Sequence, residues 1–461
     1  MIRTSSITYA RFLLLCVLPC MPAAELTVEP SHIAAVRGLL KANRVEAALS
    51  EIRSGLAASP GDSRLQTLLG DALFRQADFA GAENTYQAAL RADAHNARAS
   101  WGLGRVASLQ SRPAEATKRF ATAFQLDPRD PDIILSYAGC MQDAVARATL
   151  LRNFLRLSGP NDIVRREHAV AQLEIADRLG QRRIRITSSA DAYHLPLTDF
   201  IRSAGKAQGL LLTARINGGK PLRLLLDSGA EGIYLNTRAA SKLDLEILAE
   251  ARIAGLGQKG ATNGQVALAR TLALEQFQIE NSILHVMDLA WLPEADGVIG
   301  TDVFKDFLVR IDARKRSLDL LPFQDQPSRS ITTVPTYRIG HYLLVQGSAN
   351  SRSQGYFMVD TGASSTVIAP RAASSVLPSA FGQEVSLRDA RGPIRGATIA
   401  PVNLNLAGRE WWDSQAVALD LTDLSTQTGV EILGVLGFPL LRQAAVVINY
   451  RDGLIELEQN R

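Results

Sequence analysis

A chain of 461 residues is long enough for roughly two to four domains, each with its own core. With 46% hydrophobic and 21% charged residues, it has the composition of a globular protein and not that of a disordered chain. The formal charge is only +4, and Arg3 and Arg11 near the start supply two of those charges. So small an excess gives no case for a nucleic-acid partner, and no long basic run or RNA-binding aromatic motif supplies one.

Residues 1–24 read as an export signal. Arg3 and Arg11 flank a polar start, Phe12 to Leu18 is apolar, and Pro22-Ala23-Ala24 places small residues before Glu25. The apolar run is short for a bilayer, so no integral membrane span is expected in the mature chain. Cys20 would be a lipid-attachment site only against the grain of Pro19 before it. Cys140 is the single cysteine after the signal, which leaves no internal disulfide and no Cys-based metal site. An exported chain without disulfides suits a bacterial periplasm.

Residues 25–158 are rich in Ala, Leu and Arg, and they repeat every 34 positions. Gly70 recurs as Gly104, Ala82 as Ala116, Tyr86 as Phe120, Ala89 as Ala123 and Ala94 as Pro128, with Ala48, Pro60 and Phe154 extending the series. Small residues let paired helices approach, an aromatic fills the groove between units, and Pro closes each unit. The pattern resembles the tetratricopeptide repeat, over about three units and a degenerate fourth. The resemblance implies an all-α solenoid with a concave surface for a protein partner. Residues 159–205 are expected to hold one more helix, from the Asn161/Asp162 cap to Gly180, and then a polar linker.

From 206 onward, short β-branched runs alternate with Gly, Asn and Pro, the texture of an all-β region. This half contains one pattern twice. Leu224-Leu225-Leu226-Asp227-Ser228-Gly229-Ala230 matches Phe357-Met358-Val359-Asp360-Thr361-Gly362-Ala363, and each is followed by a second apolar run. Downstream, Gly297-Val298-Ile299-Gly300 matches Gly434-Val435-Leu436-Gly437, and the register then continues without a gap through Val309 to Asp312 and Val446 to Asn449. A lone Asp-Ser-Gly is an ordinary turn. Two landmarks in register, twice, are far more specific.

These motifs resemble the pepsin-like and retropepsin-like aspartic peptidases. The resemblance implies a bilobal all-β domain, with one lobe over 206–325 and a second over 326–461. It further implies that Asp227 and Asp360 face one another as the catalytic pair, with no cofactor and no metal. Gly229 and Gly362 would let the loops approach, Ser228 and Thr361 would bond across the axis, and Ile299-Gly300 and Leu436-Gly437 would thread behind them. The expected activity is endopeptidase cleavage of a polypeptide substrate. A non-cleaving peptide-binding scaffold or assembly protein on the same fold is the alternative, since fold alone does not give function. Pairing of each lobe with a second copy of the chain is a further alternative.

Other features carry less. No Tyr lies between Tyr234 and Tyr337, so a pepsin-type flap tyrosine has no counterpart; the glycines around 255–264 and 392–396 mark candidate flaps. Gly255-Leu256-Gly257-Gln258-Lys259-Gly260 fits a dinucleotide fingerprint, but turn-like residues follow it where a helix is required. The six histidines contain no His-x-x-x-His pair. Asp296 and Asp302 read as turn and loop residues, and Trp411-Trp412 as packing or substrate-wall surface.

Overall fold

A computed structural model of the chain describes residues 31–459 apart from 203–204, 254–261, 326–331, 352, 375–380, 390–391 and 400. The expected export signal, Cys20 included, lies outside the described residues. The N-terminal part is four successive helical hairpins: α1 (Ser31–Lys41) with α2 (Val45–Ala58), α3 (Ser63–Arg75) with α4 (Phe79–Ala92), α5 (Ala97–Leu109) with α6 (Pro113–Leu126), and α7 (Pro131–Cys140) with α8 (Ala144–Leu157). A longer helix, α9 (Ile163–Leu179), completes the array.

The 34-residue period is visible in the local chemistry. Asp62, Asn96 and Asp130 each cap the first helix of a hairpin by accepting backbone N–H bonds. Asn43, Ala77 and Ser111 take the left-handed backbone of the turn within each hairpin, with φ of 55°, 63° and 55°. Ala48, Ala82 and Ala116 are fully buried between helices. A methyl added at Gly70 would stand 2.5 Å from the Tyr86 ring, and one at Gly104 would stand 2.6 Å from the Phe120 ring. The glycine therefore has to be a glycine, because the aromatic of the following helix occupies its Cβ position.

The remainder is β-structure in two related lobes. The first contains β1 (Arg185–Ile186), β2 (Tyr193–Ile201), β3 (Ala207–Ile216), β4 (Leu222–Asp227), β5 (Ile233–Asn236), β6 (Glu246–Ile253), β7 (Thr262–Leu274), β8 (Phe277–Met287), β9 (Gly297–Gly300), β10 (Leu308–Asp312) and β11 (Ser317–Leu321). The second contains β12 (Thr333–Ile339), β13 (Tyr342–Ala349), β14 (Ser353–Val359), β15 (Val367–Ile368), β16 (Phe381–Asp389), β17 (Gly392–Ile399), β18 (Val402–Leu406), β19 (Arg409–Asp413), β20 (Val417–Ala418), β21 (Gly434–Leu436), β22 (Ala444–Asn449) and β23 (Leu454–Gln459). Strand β2 begins inside the stretch expected to be linker. Its alternating Tyr193, Leu195 and Leu197 point into the core, and it pairs with both β3 and β11.

In each lobe a late strand is threaded between two earlier ones. β9 runs parallel to β4 and antiparallel to β5, and β21 does the same between β14 and β15. A six-stranded antiparallel sheet, β2-β11-β10-β22-β23-β12, ties the lobes together. Its centre is the pairing of Arg310 with Val447, and elements on either side correspond through a pseudo-twofold axis.

The helical array is docked against both lobes. On the second lobe, Phe79 lies 4.9 Å from the Tyr356 ring, 5.3 Å from Tyr337 and 5.3 Å from Phe74, all centroid to centroid. These rings join one apolar cluster with Leu344, Met358 and Val435, and Glu431 N–H donates to the Arg75 carbonyl at 2.7 Å. On the first lobe, Ala171 of α9 packs on Leu248, Ala249, Val266 and Leu268 of the β6–β7 hairpin, where Arg178 donates to the Ile247 carbonyl at 2.8 Å. The repeats thus share core with the β half over and above their chain connection.

Candidate active site

Asp227 ends β4, and Asp360 directly follows β14. The pairing of Asp227 with Gly300 in β9, and the donation of Asp360 N–H to the Leu436 carbonyl at 3.1 Å, fix both loops against the threaded strands. Behind the first loop, Gly300 N–H donates to the Gly232 carbonyl at 2.7 Å. Any side chain at Gly300 would collide with the Ala230 carbonyl, and any at Gly437 with the Ser365 carbonyl. Glycine is required at both positions by this close backbone approach.

Across the axis the loops grip one another. Ser228 N–H donates to Thr361 Oγ1 at 3.0 Å, and Thr361 N–H donates to Ser228 Oγ at 3.1 Å. The hydroxyls then donate onward, Ser228 to the Val359 carbonyl at 2.9 Å and Thr361 to the Leu226 carbonyl at 3.0 Å. Four bonds between buried groups therefore join the lobes within one chain. The two half-sites meet without a second copy.

Gly229 and Gly362 bring each turn against the opposite carboxyl. A methyl at Gly229 would stand 2.8 Å from Asp360 Oδ2, and one at Gly362 would stand 2.5 Å from Asp227 Oδ2. Asp227 accepts one backbone N–H, from Gly229 at 2.7 Å. Asp360 accepts two, from Gly362 and Ala363, both at 2.9 Å. Burial pushes Asp227 well above the ordinary carboxylate range, and the neighbouring charge of Asp360 pushes it further. Burial also raises Asp360, opposed by its bond from Asp227 and by its two N–H donors. Asp360 therefore has the larger set of backbone donors for a charged carboxyl.

Residues 212–303 and 345–440 match the family model described as Aspartyl protease, one segment in each lobe. The β half is an aspartyl protease domain. Residues 33–82 and 67–131 match the model described as Tetratricopeptide repeat, so the helical array is built of those repeats. No curated protein matches the chain.

Around the carboxyl pair, the aspartyl protease domain settles several residues that the sequence marked. Asp302 accepts from Gly232 N–H at 2.9 Å and Asp296 from Arg223 N–H at 2.9 Å, so both brace loops. Trp411 is buried with its indole N–H on the Leu406 carbonyl, whereas Trp412 is exposed. The candidate flaps fall on the β6–β7 and β16–β17 hairpins. The residues of the first tip, including the whole dinucleotide-like run 255–260, lie outside the described residues, as do 390–391 of the second. The strands bounding that run pair antiparallel, an arrangement foreign to a dinucleotide-binding βαβ unit.

Sequence reading missed Glu231 and His341. Glu231 follows the first motif directly, and His341 comes from the β12–β13 turn of the other lobe; their side chains approach to 3.5 Å. Glu231 is exposed, and the bond from His341 holds its carboxyl below the usual range. The signal available beforehand was the proximity of Glu231 to Asp227 in sequence. For His341 there was none.

Proposed function

We propose that the protein is an aspartic endopeptidase that hydrolyses peptide bonds with Asp227 and Asp360 as its catalytic carboxyls. The observation that carries the reading is the paired geometry itself: two buried acids on mutually bonded loops, with unequal donor sets that leave one proton between them. Ionised Asp360 takes a proton from a water molecule whose oxygen bonds to the scissile carbonyl carbon. Asp227 gives its proton to the carbonyl oxygen. As the tetrahedral adduct collapses, the carbon–nitrogen bond breaks, and Asp360 returns a proton to the leaving amine while Asp227 recovers its own. The balance closes with water added across the bond, and no covalent enzyme intermediate forms.

The substrate is held extended across the junction of the lobes, where the β6–β7 and β16–β17 hairpins offer main-chain pairing. The repeats present a surface for a protein substrate or partner. Their inner helices carry a ladder of charged and aromatic groups, in which Arg105 reaches Asp71 at 3.3 Å and Arg98 reaches Asp132 at 2.9 Å, with both guanidinium groups over Trp101. The mature chain works after export, in a bacterial periplasm, in keeping with the signal-like residues 1–24.

The test is digestion of a proteome-derived peptide mixture by the mature chain across roughly pH 4 to 7, where such a pair titrates, beside Asp227→Asn and Asp360→Asn. New peptide ends that vanish in both variants support the reading. Peptides retained uncut by all three proteins would favour the non-cleaving scaffold.

A further inference from the structure

The register of the two lobes allows the faces beside the two carboxyls to be compared residue by residue. Side chains alternate along a strand, so Leu225 lies on the same face as Asp227, and Met358 on the same face as Asp360. In the first lobe the row through Leu225 crosses five paired strands as Leu211, Leu225, Val298, Tyr234 and His285. In the second lobe the equivalent row is Leu344, Met358, Val435, Val367 and Val417. The first three positions are aliphatic or Met in both lobes. At the last two the symmetry is broken: Tyr234 and His285 replace a valine pair.

The two rings stack, with centroids 5.0 Å apart and planes 23° apart. Both residues are half-buried, whereas Val367 and Val417 are buried. His285 Nδ1 is shielded from solvent and has no hydrogen-bond partner among the described residues, a position that calls for one. Exposed Glu231, held by His341 of the opposite lobe, stands on the loop between Asp227 and Tyr234. Its counterpart in the second lobe is Ser364, which carries no charge. At the compared positions, a pair of polar rings, an anion and a nitrogen unpaired among the described residues stand in the first lobe and have no counterpart in the second.

We infer that Tyr234 and His285, with Glu231 at the rim, form a polar side-chain subsite in the first lobe that selects substrates bearing a hydrogen-bond donor (Lys, Arg, Gln or Asn) on one side of the scissile bond, a selection that the buried valine pair of the second lobe does not repeat. The inference deepens the peptidase reading and rests on it. An acidic residue is disfavoured in the same subsite because Glu231, Asp302 and the dyad surround it with carboxylates. Burial keeps the His285 imidazole neutral, its pKa displaced downward, so one ring nitrogen accepts from such a donor. Burial also displaces the Tyr234 phenol upward, which keeps its hydroxyl available as a second partner.

The experiment is cleavage-site profiling of a randomised peptide library by the wild-type protein, by the paired variant Tyr234→Val with His285→Val, and by the milder Tyr234→Phe and Glu231→Gln. The wild type is expected to show donor-bearing residues enriched on one side of the cut and not on the other. The valine pair copies the second lobe, and it should lower the ratio of kcat/KM for donor-bearing over aliphatic peptides by about tenfold or more, the scale of one lost buried hydrogen bond. The milder variants report the same shift in smaller measure if the valine pair does not fold. Equal aliphatic preference on both sides of the wild-type cut, or an unchanged ratio in every folded variant, overturns the inference while leaving the peptidase reading intact. Should the wild type cut nothing, that reading fails instead, and the library is captured on immobilised protein. Donor enrichment lost in the variants then still supports the subsite, and no enrichment overturns it.

Discussion

Replacing Thr361 by Val tests whether the grip between the lobes is made of the bonds described. Valine keeps the shape of threonine and removes only the hydroxyl. That hydroxyl accepts from Ser228 N–H at 3.0 Å and donates to the Leu226 carbonyl at 3.0 Å, and Thr361 is only 4% exposed. Both partners would be left buried and unpaired, at about 1–3 kcal/mol each. The expected loss is therefore about 2–6 kcal/mol of unfolding free energy. Ser228→Ala should cost a similar amount, since it strips the same kinds of bond from Thr361 N–H and the Val359 carbonyl.

Thr366→Val supplies the control. Thr366 is fully buried, and its hydroxyl has no partner among the described residues. The same chemical change there should be neutral or slightly stabilising, because it removes an unsatisfied polar atom. Urea unfolding followed by tryptophan fluorescence reads both, with the slope compared as well as the midpoint. A Thr361→Val loss below about 1 kcal/mol, or one no larger than that of Thr366→Val, would refute the assignment of the grip to these hydroxyls.

Asp227→Asn should abolish cleavage yet raise the unfolding midpoint at neutral pH. The sign follows from the raised pKa of Asp227 in the folded chain: as pH climbs past the unfolded value, the unfolded state releases its proton first and gains stability relative to the native state. That penalty is complete above the folded value and absent below the unfolded one, so the gain from Asn should vanish in acid; a gain that persists there contradicts the account. Phe79→Ala removes a ring that is 2% exposed and should cost about 3–5 kcal/mol, with limited proteolysis then releasing the repeats from the β half. An intact array resisting protease as well as the wild type does would count against docking through Phe79. For the leader, mass spectrometry of the protein recovered after full-length expression should find Glu25 as the first residue; a chain still beginning at Met1 speaks against export.

The parts of this fold that could be read from sequence are those written in short-range or repeated chemistry. Asp62, Asn96 and Asp130 sit 34 apart because each hairpin needs the same cap, and Gly70 and Gly104 recur because each must admit a ring. The duplicated motifs around Asp227 and Asp360 were legible for a related reason. Both lobes place an acid, a hydroxyl and a glycine on one tight turn, and the threaded strand behind it must end in glycine to pass the loop backbone. In each case the constraint acts within a few residues, or acts twice.

What escaped the sequence reading is in one case an alternation set among polar residues and in another a set of contacts that occurs once. Strand β2 was hidden in the polar stretch after α9 because its alternation is short and its partners, β3 and β11, lie on either side in space but not in sequence. The docking face for the repeats is a sharper case. Tyr337 pairs with Leu344 in the second lobe, and Thr198 pairs with Leu211 at the corresponding place in the first. Tyr356 stands two residues before Met358, where the first lobe has Arg223 two before Leu225. Thr198 and Arg223 are exposed, whereas Tyr356 is covered by Phe79. At this face a duplicated scaffold has thus been made to accept Phe79 on the second lobe and not at the corresponding place on the first, by exchanging solvent-compatible residues for aromatic ones. The same departure from symmetry distinguishes Tyr234 and His285 from Val367 and Val417. In a chain that repeats itself, positions where the copies agree maintain the shared turn and thread, and positions where they differ carry what each copy has to recognise.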